Sequence, residues 1–185
     1  MTNGMRKPSL SWEGRGFPDN PRFLFVGRLA RPKGLDAVIR ALGGLKDRQW
    51  TLDVVGDGPQ RTEWEALTAE MGLQERVTYH GFRDDVEAWM ARSGCLLFSS
   101  YQEGMPLTVL EALAVGIPVL ASDIEQLRPL SSGTLIPPRD VEAWRGAIEK
   151  VLDSGVASPL SVDKLTTFEE MANQIEAFYL EVLGY

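Results

Sequence analysis

Two glutamates, Glu103 and Glu111, are separated by seven residues in the segment Glu-Gly-Met-Pro-Leu-Thr-Val-Leu-Glu. The second glutamate is followed by the apolar run Ala-Leu-Ala-Val-Gly-Ile-Pro-Val-Leu-Ala. This pattern indicates a helix and then a strand that are buried on most sides. A carboxylate in such a place is costly unless a donor or a cation compensates it. We therefore expect Glu111 to be buried and to meet either an arginine of the fold or the hydroxyl groups of a ligand.

A basic loop lies earlier in the chain, where Arg28, Arg31 and Lys33 stand between Gly27 and Gly34. Glycines let a backbone approach a ligand closely, and arginine offers a forked pair of donors to phosphate oxygens. Because the chain carries a net charge of −7, three clustered cations are a local feature. Two interpretations remain open: the loop is an anion site, or it is a solvated loop that pairs with nearby carboxylates.

A second anion site is predicted at the start of the helix that carries Glu111. Pro106 suits the first turn of a helix, where its missing N–H costs nothing. The amides of residues 107–109 would then be free at the positive end of the helix dipole, which suits a diphosphate. Glu103 stands beside this helix start. The cradle, the basic loop and the two carboxylates together fit a nucleoside diphosphate that bears a polyhydroxylated group.

Other candidate residues give weaker signals. Gly56-Asp-Gly58 resembles the start of a dinucleotide fingerprint but has Arg61 in place of the third glycine, so a tight strand-to-helix turn explains it at least as well. His80 and Cys95, which are the single histidine and cysteine, are expected to be structural. No set of His, Cys and carboxylates has metal-ligand spacing, and no nucleophile is paired with a base.

The elements that position these residues follow from apolar runs that end near Gly, Ser or Pro. Helical patterns separate most of these runs, at 35–42, 60–71, 85–92, 106–115 and 140–153, while 123–132 allows about one helical turn. This alternation predicts an α/β fold with a Rossmann-like, doubly wound parallel sheet of about six strands and helices on both faces. The predicted strands are Phe23–Gly27, Trp50–Gly56, Val77–Gly81, Cys95–Ser100, Pro118–Ser122 and Thr134–Pro137.

The ends of the chain complete the predicted organisation. A capping box at Thr167 and Glu170 starts a last helix that runs to about Leu183. Residues 1–21 show no period and are expected to be a linker or the remnant of an expressed fragment, so that residues 22–185 form the domain.

Composition sets limits on the class of protein. The acidic balance argues against a nucleic-acid partner, and no apolar run reaches the ~20 residues of an integral membrane segment. A single cysteine is typical of a reducing compartment, and the first residues lack the apolar core of a signal peptide. We therefore expect a cytoplasmic location.

Taken in order, the motifs resemble a known family. From about Phe23 to the last helix, the chain is similar to the C-terminal, donor-binding half of a retaining glycosyltransferase of family 4, which is one half of a GT-B fold. The resemblance rests on Gly27-Arg28-x4-Lys33-Gly34, Gly56-Asp-Gly58-Pro59, His80-Gly81-Phe82, Glu103-x7-Glu111, Gly116-x-Pro118 and Pro137-Pro-x-Asp140.

The resemblance implies a hexosyltransferase-type enzyme that uses a UDP-, GDP- or ADP-sugar without a metal or other cofactor. Arg28, Lys33 and Glu103 would be the catalytic residues: the two cations would hold the departing diphosphate, and Glu103 would lie by the donor sugar. Glu111 would bind the ribose hydroxyls, and the base would lie near Phe82. The implied donor-binding residues are Gly27, Arg28, Lys33, Phe82, Glu103, Gly104, Met105, Pro106, Leu107, Thr108 and Glu111.

The chain also departs from the family pattern. Met105-Pro106 stands where the family often has Phe-Gly, which removes one amide donor, and Asp123-Ile-Glu-Gln-Leu replaces a glycine pair. The resemblance further implies an N-terminal acceptor domain, supplied in cis or in trans, without which this chain would be inactive. Two alternatives stay open: a non-catalytic module that binds nucleotide sugars, and a Rossmann-type interaction domain with vestigial loops.

Overall fold

The computed structural model describes residues 10–12, 21–131 and 134–154, and within them strands and helices alternate. Two short 3-10 helices, Arg31–Lys33 and Glu125–Leu130, lie in loops. The strands are Arg22–Val26 (β1), Thr51–Val55 (β2), Val77–Gly81 (β3), Cys95–Phe98 (β4) and Val119–Ala121 (β5). The helices are Leu35–Gly43 (α1), Arg61–Glu70 (α2), Val86–Arg92 (α3), Leu107–Val115 (α4) and Val141–Ser154 (α5).

The strands form one sheet in the order β3-β2-β1-β4-β5, and all neighbouring pairs are parallel. The predicted doubly wound α/β fold is therefore confirmed, with five strands among the described residues where about six were predicted. The predicted strand at 134–137 contributes one isolated bridge, between Ser122 and Ile136. Pro137 and Pro138 follow at once, and proline has no N–H with which to extend a ladder.

Helices cover both faces of the sheet because their apolar residues recur at helical spacing. In α1 the buried residues Leu35, Val38, Ile39 and Leu42 form one stripe, which packs with α2 and α5 over the first face. The second face is covered by α3 and α4, where Met90 is completely buried. Cys95 is also completely buried, as expected for a core residue, and burial raises the pKa of its thiol to about 12.

Trp12, which precedes the sheet, packs against the helices that cover the second face. The backbone N–H of Trp12 donates to the Val115 carbonyl at 2.8 Å, and its indole N–H donates to the Ser93 carbonyl at 2.9 Å. Apart from residues 10–12 and Pro21, the predicted linker lies outside the described residues, as does the predicted last helix from Thr167 to Leu183. Among the residues that are described, none belongs to a helix with the length and apolar character needed to cross a membrane.

Candidate functional site

The sheet order places two loops at a topological switch point. From β1 the chain moves outward to β2 and β3, and then returns to place β4 on the other side of β1. Loops that leave neighbouring strands in opposite directions open a crevice at the carboxyl edge, which is where open α/β sheets bind ligands. The basic loop, residues 27–34, follows β1, and residues 99–106, which carry Glu103, follow β4.

These two loops are held together by main-chain contacts. The Tyr101 N–H donates to the Pro32 carbonyl at 2.9 Å, and the Ser99 hydroxyl donates to the Lys33 carbonyl at 2.8 Å. Gly34 has a φ of +64°, and a Cβ there would lie 2.4 Å from the Ser99 carbonyl oxygen. Only glycine therefore lets the basic loop pass directly against the end of β4, and this approach positions Lys33.

Lys33 and Glu103, two of the three predicted catalytic residues, form an ion pair. Lys33 Nζ lies 2.5 Å from Glu103 Oε1, and the two side chains retain only 25% and 11% of their exposure. A carboxylate this well covered requires a partner, and the lysine supplies a charge-assisted hydrogen bond. The crevice thus holds one cation and one carboxylate that neutralise each other in the ligand-free protein.

The other cations of the basic loop differ in their partners. Arg31 Nη2 lies 3.5 Å from Glu63 Oε2 in an exposed pair. Arg28 is exposed, and no carboxylate among the described residues lies within ion-pair distance of it. Two of the three cations therefore pair with carboxylates, as expected for a solvated loop. Arg28 keeps its donors available for an anion, as expected for an anion site.

The Gly56-Asp57-Gly58 segment is occupied by contacts with the basic loop. A Cβ on Gly56 would lie 1.9 Å from the Gly27 carbonyl oxygen, and a Cβ on Gly58 would lie 2.4 Å from the Leu29 carbonyl oxygen. The Leu29 N–H also donates to the Asp57 carbonyl at 2.9 Å. These glycines therefore form the tight turn that the sequence allowed, which supports the basic loop from the side of β2.

The start of α4 offers fewer free amides than predicted. The Leu107 N–H donates to the Met105 carbonyl and the Val109 N–H to the Pro106 carbonyl, both at 2.9 Å. Among the described residues, only the Thr108 N–H of these three has no acceptor. The prediction of three free donors is wrong because the chain turns tightly at residues 105–107 and uses two of them itself.

Glu111 lies on the exposed side of α4, so the expectation that it is buried is also wrong. The buried residues of the helix are Val109, Leu110, Ala112 and Val115, whereas Leu107, Glu111 and Ala114 form the exposed stripe. Partial desolvation nevertheless raises the pKa of the Glu111 carboxyl. The sequence misled because the exposed stripe is itself apolar at Leu107 and Ala114.

Two residues at the carboxyl end of β3 take different roles. His80 Nε2 lies 2.7 Å from Asp53 Oδ1, and its ring centroid is 4.1 Å from that of Trp89, so the histidine is held by the fold. Phe82 is 83% exposed at the carboxyl end of the same strand. An aromatic ring presented to solvent in this way can stack on a planar ligand.

Tyr101, which the sequence did not single out, lines the crevice, and Arg139 contacts it from outside the cavity. Tyr101 borders a polar cavity of about 300 Å³, and Arg139 Nη2 donates to its hydroxyl at 2.9 Å. No local pattern distinguishes Arg139 in the sequence; only its place after two prolines and before α5 marks a fixed position. The residues that line the cavity are Tyr101, Gln102, Glu103, Asp123, Ile124, Glu125 and Gln126.

Within residues 10–12, 21–131 and 134–154, no group of three or more His, Cys, Asp and Glu side chains has the arrangement of a metal site. Of the predicted site residues, the structure brings Lys33 and Glu103 into direct contact. Independence from a metal stays a prediction.

Comparison with known proteins gives a consistent assignment. Residues 20–154 match the family described as "Glycosyl transferases group 1". The chain is similar to a 2-deoxystreptamine glucosyltransferase from Streptomyces kanamyceticus, with 35% identity over 137 residues that cover 70% of this chain and 35% of that protein. It is also similar to a lipopolysaccharide 1,6-galactosyltransferase from Salmonella typhimurium, with 31% identity over 72% of this chain and 40% of that protein.

Among solved structures, the chain is similar to a sucrose-phosphate synthase from Thermosynechococcus elongatus. The TM-score is 0.73 and the identity 31%, with 90% of this chain and 46% of that chain covered. The chain therefore spans less than half the length of each of these three relatives.

Proposed function

This chain belongs to the group 1 glycosyl transferases, and from that membership we propose that it is the donor-binding half of a retaining, family 4 enzyme. In this proposal residues 22–185 form the C-terminal domain of a GT-B fold, and residues 1–21 are the linker that precedes it. The chain binds a nucleotide sugar, and an N-terminal acceptor domain, in cis or in trans, completes the transfer of a hexosyl group. The buried Cys95 fits a reducing compartment, and we propose a cytoplasmic location.

The pairing of Lys33 with Glu103 at the switch point is the observation that carries this proposal. A ligand that places a diphosphate against the basic loop meets a cation there, and the attached sugar meets a carboxylate within the same crevice. A single nucleotide sugar therefore satisfies both charges in the positions where the loops hold them. Exposed Arg28 adds a second cation from the same loop.

Each proposed role follows from charge and position. Lys33 and Arg28 neutralise the diphosphate and stabilise the negative charge that develops on it as the bond to the sugar breaks. Because these cations supply that charge, no metal ion is assigned to the reaction. Glu103 accepts hydrogen bonds from the sugar hydroxyls. The exposed Glu111 accepts hydrogen bonds from the ribose hydroxyls, which also compensates its partial desolvation.

The remaining residues form the walls of the proposed site. Phe82 offers a face on which the base can stack. The segment from Gly104 to Thr108 passes between the sugar and the phosphates, and the Thr108 N–H is the donor that α4 leaves available. Gly27 belongs to the wall at the end of β1.

Calorimetric titration of the chain with UDP-, GDP- and ADP-sugars, with and without magnesium, tests the proposal. We expect saturable binding of one of them that magnesium does not change. Lys33→Ala should weaken this binding by about 10-fold or more, since a hydrogen bond to a charged group contributes about 1.5–3 kcal/mol. Arg48→Ala is the matched control: its guanidinium also pairs with a carboxylate, that of Asp153 at 2.6 Å, but it lies at the amino edge of the sheet.

Two results would overturn parts of the proposal. If Lys33→Ala and Arg48→Ala weaken nucleotide-sugar binding equally, the crevice is not the nucleotide-sugar site. Binding without any sugar transfer after an acceptor domain from a relative is supplied would favour the non-catalytic binding module.

A further inference from the structure

Arg139 has a backbone conformation that an arginine rarely adopts. Its φ is +64°, and it is the one non-glycine residue with a positive φ within the described ranges 10–12, 21–131 and 134–154. A side chain in this left-handed region costs free energy, and such residues persist where the surrounding structure determines them. Glycine would occupy the position without this cost. The arginine side chain therefore needs an explanation.

The backbone on both sides of Arg139 is fixed. Pro137 and Pro138 precede it, and proline restricts φ. Asp140 follows and caps α5, because its Oδ1 accepts the Ala143 N–H at 2.9 Å. Arg139 therefore lies between two prolines and the start of α5, so that the fold sets the direction of its side chain.

The Arg139 side chain points to Tyr101. Its Cζ lies 4.0 Å from the centroid of the Tyr101 ring, and its Nη2 donates to the Tyr101 hydroxyl at 2.9 Å. Two contacts of different kinds, a cation on an aromatic face and a hydrogen bond, hold the same ring. An arginine side chain that extended into solvent would make neither of these contacts.

Tyr101 connects this contact to the crevice. Its N–H donates to the Pro32 carbonyl, and its ring lies against Gly34, where a Cβ would be 3.6 Å from Tyr101 Cδ1. Glu103, the partner of Lys33, follows two residues later and lines the same 300 Å³ cavity as Tyr101. The ring of Tyr101 is therefore held between Arg139 and the basic loop.

We propose that Arg139 is a positioning residue for the nucleotide-sugar site: it holds Tyr101, and through Tyr101 the segment that bears Glu103, against the basic loop. The ligand class in this inference rests on the proposed function. The positioning itself does not, because it concerns contacts in the ligand-free protein.

The substitution Arg139→Gly separates this role from a role in stability. Glycine accepts the φ of +64°, so the variant should unfold at the same or a higher temperature than wild type. Nucleotide-sugar binding should nevertheless weaken by at least about threefold, as expected for lost contacts within one connected set. Arg139→Lys keeps the charge but lacks the planar fork, so its affinity for the nucleotide sugar should lie between those of wild type and Arg139→Gly.

Amide hydrogen exchange supplies a readout that needs no ligand. In Arg139→Gly the amides of residues 101–104 should exchange faster, while those of β1 stay unchanged. Tyr101→Phe, which keeps the ring and removes the hydroxyl, should give a smaller change in the same amides. Arg92→Ala is the control, because it removes an arginine that stacks 3.5 Å from the Trp89 ring centroid on α3, which covers the other face of the sheet from α5.

The outcomes are distinct. Unchanged exchange at residues 101–104 in Arg139→Gly overturns the positioning role, whether or not a ligand binds. Weaker binding with unchanged exchange would instead mean that Arg139 contacts the ligand directly. Faster exchange in a protein that binds none of the UDP-, GDP- and ADP-sugars would support the positioning role and refute the proposed function.

Discussion

The pair of Lys33 with Glu103 makes the binding of a free nucleoside diphosphate sensitive to one substitution, Glu103→Gln. In the ligand-free protein Lys33 Nζ is 2.5 Å from a carboxylate whose side chain is only 11% exposed. A diphosphate that needs Lys33 must compete with this carboxylate. Glutamine has almost the same shape and no charge, so we expect the variant to bind the diphosphate more tightly than wild type.

The size of this gain follows from the hydrogen bond that Lys33 gives up. A hydrogen bond to a charged group contributes about 1.5–3 kcal/mol, and the glutamine amide oxygen still accepts a weaker one. About half of that contribution, roughly 0.75–1.5 kcal/mol, is then recovered, which corresponds to about a 4- to 12-fold lower Kd. A nucleotide sugar should gain less than the free diphosphate, because the same substitution replaces the charged acceptor of its sugar hydroxyls with a weaker, neutral one.

Calorimetric titration with the diphosphate and its sugar derivative measures both effects. Glu63→Gln is the control, since Glu63 also pairs with a cation of the basic loop, Arg31 at 3.5 Å, but is 56% exposed. An exposed pair contributes about 0–1 kcal/mol, so this variant should change the Kd by less than about threefold. A diphosphate that binds Glu103→Gln no better than wild type would refute competition for Lys33.

Three further predictions concern stability and access. Gly34→Ala should lower the free energy of unfolding by roughly 2–4 kcal/mol, measured by urea denaturation, because a left-handed residue and a Cβ placed 2.4 Å from the Ser99 carbonyl oxygen both add cost; a loss below about 0.5 kcal/mol would contradict the close approach. Desolvation raises the pKa of the Glu111 carboxyl above its ordinary value of 4.5 in the folded protein, so ionisation of Glu111 disfavours folding. The stability that the neutral carboxyl contributes is therefore present at low pH and is lost as the pH rises through the raised pKa. Glu111→Gln should therefore be at least as stable as wild type at pH 7 in thermal unfolding, with no difference at pH 3, yet bind nucleotide sugar about 10-fold less tightly; full binding would exclude the ribose contact. The buried Cys95 thiol, with a pKa of about 12, should react with a thiol reagent only after addition of denaturant, and fast labelling of the native protein would contradict the burial.

Most of the described strands were predictable because β1, β2, β4 and β5 each contain a short apolar run between turn residues. Val77–Gly81 was predicted at its observed bounds, and Cys95 was correctly placed in the core. The prediction of a strand at 134–137 was wrong because the run is apolar like a strand, but Pro137 and Pro138 have no N–H groups with which to extend a ladder. The sequence pattern shows which residues are apolar, whereas pairing with a neighbouring strand depends on the N–H and C=O groups of the backbone.

The site was predictable in its position and less so in its geometry. The switch point follows from the order of the strands, and the cations of the basic loop are visible in the sequence. Exposure of Glu111 was not predictable, because α4 is apolar on both sides and only tertiary packing decides which side is covered. The contact between Arg139 and Tyr101 depends on two loops that are distant in sequence, and no local rule joins them.

The position of β1 at the centre of the sheet also has a consequence for folding kinetics. β1 pairs with β2 across one helix, whereas its other neighbour, β4, lies far along the chain, with Phe23 aligned to Cys95. Pairings of such high sequence separation close late because a long loop must be ordered first. Lys33 and Glu103 meet only when this pairing has formed. We therefore expect the β1-β2-β3 half to become protected earlier in refolding, and the crevice to be the last part of the described fold to assemble.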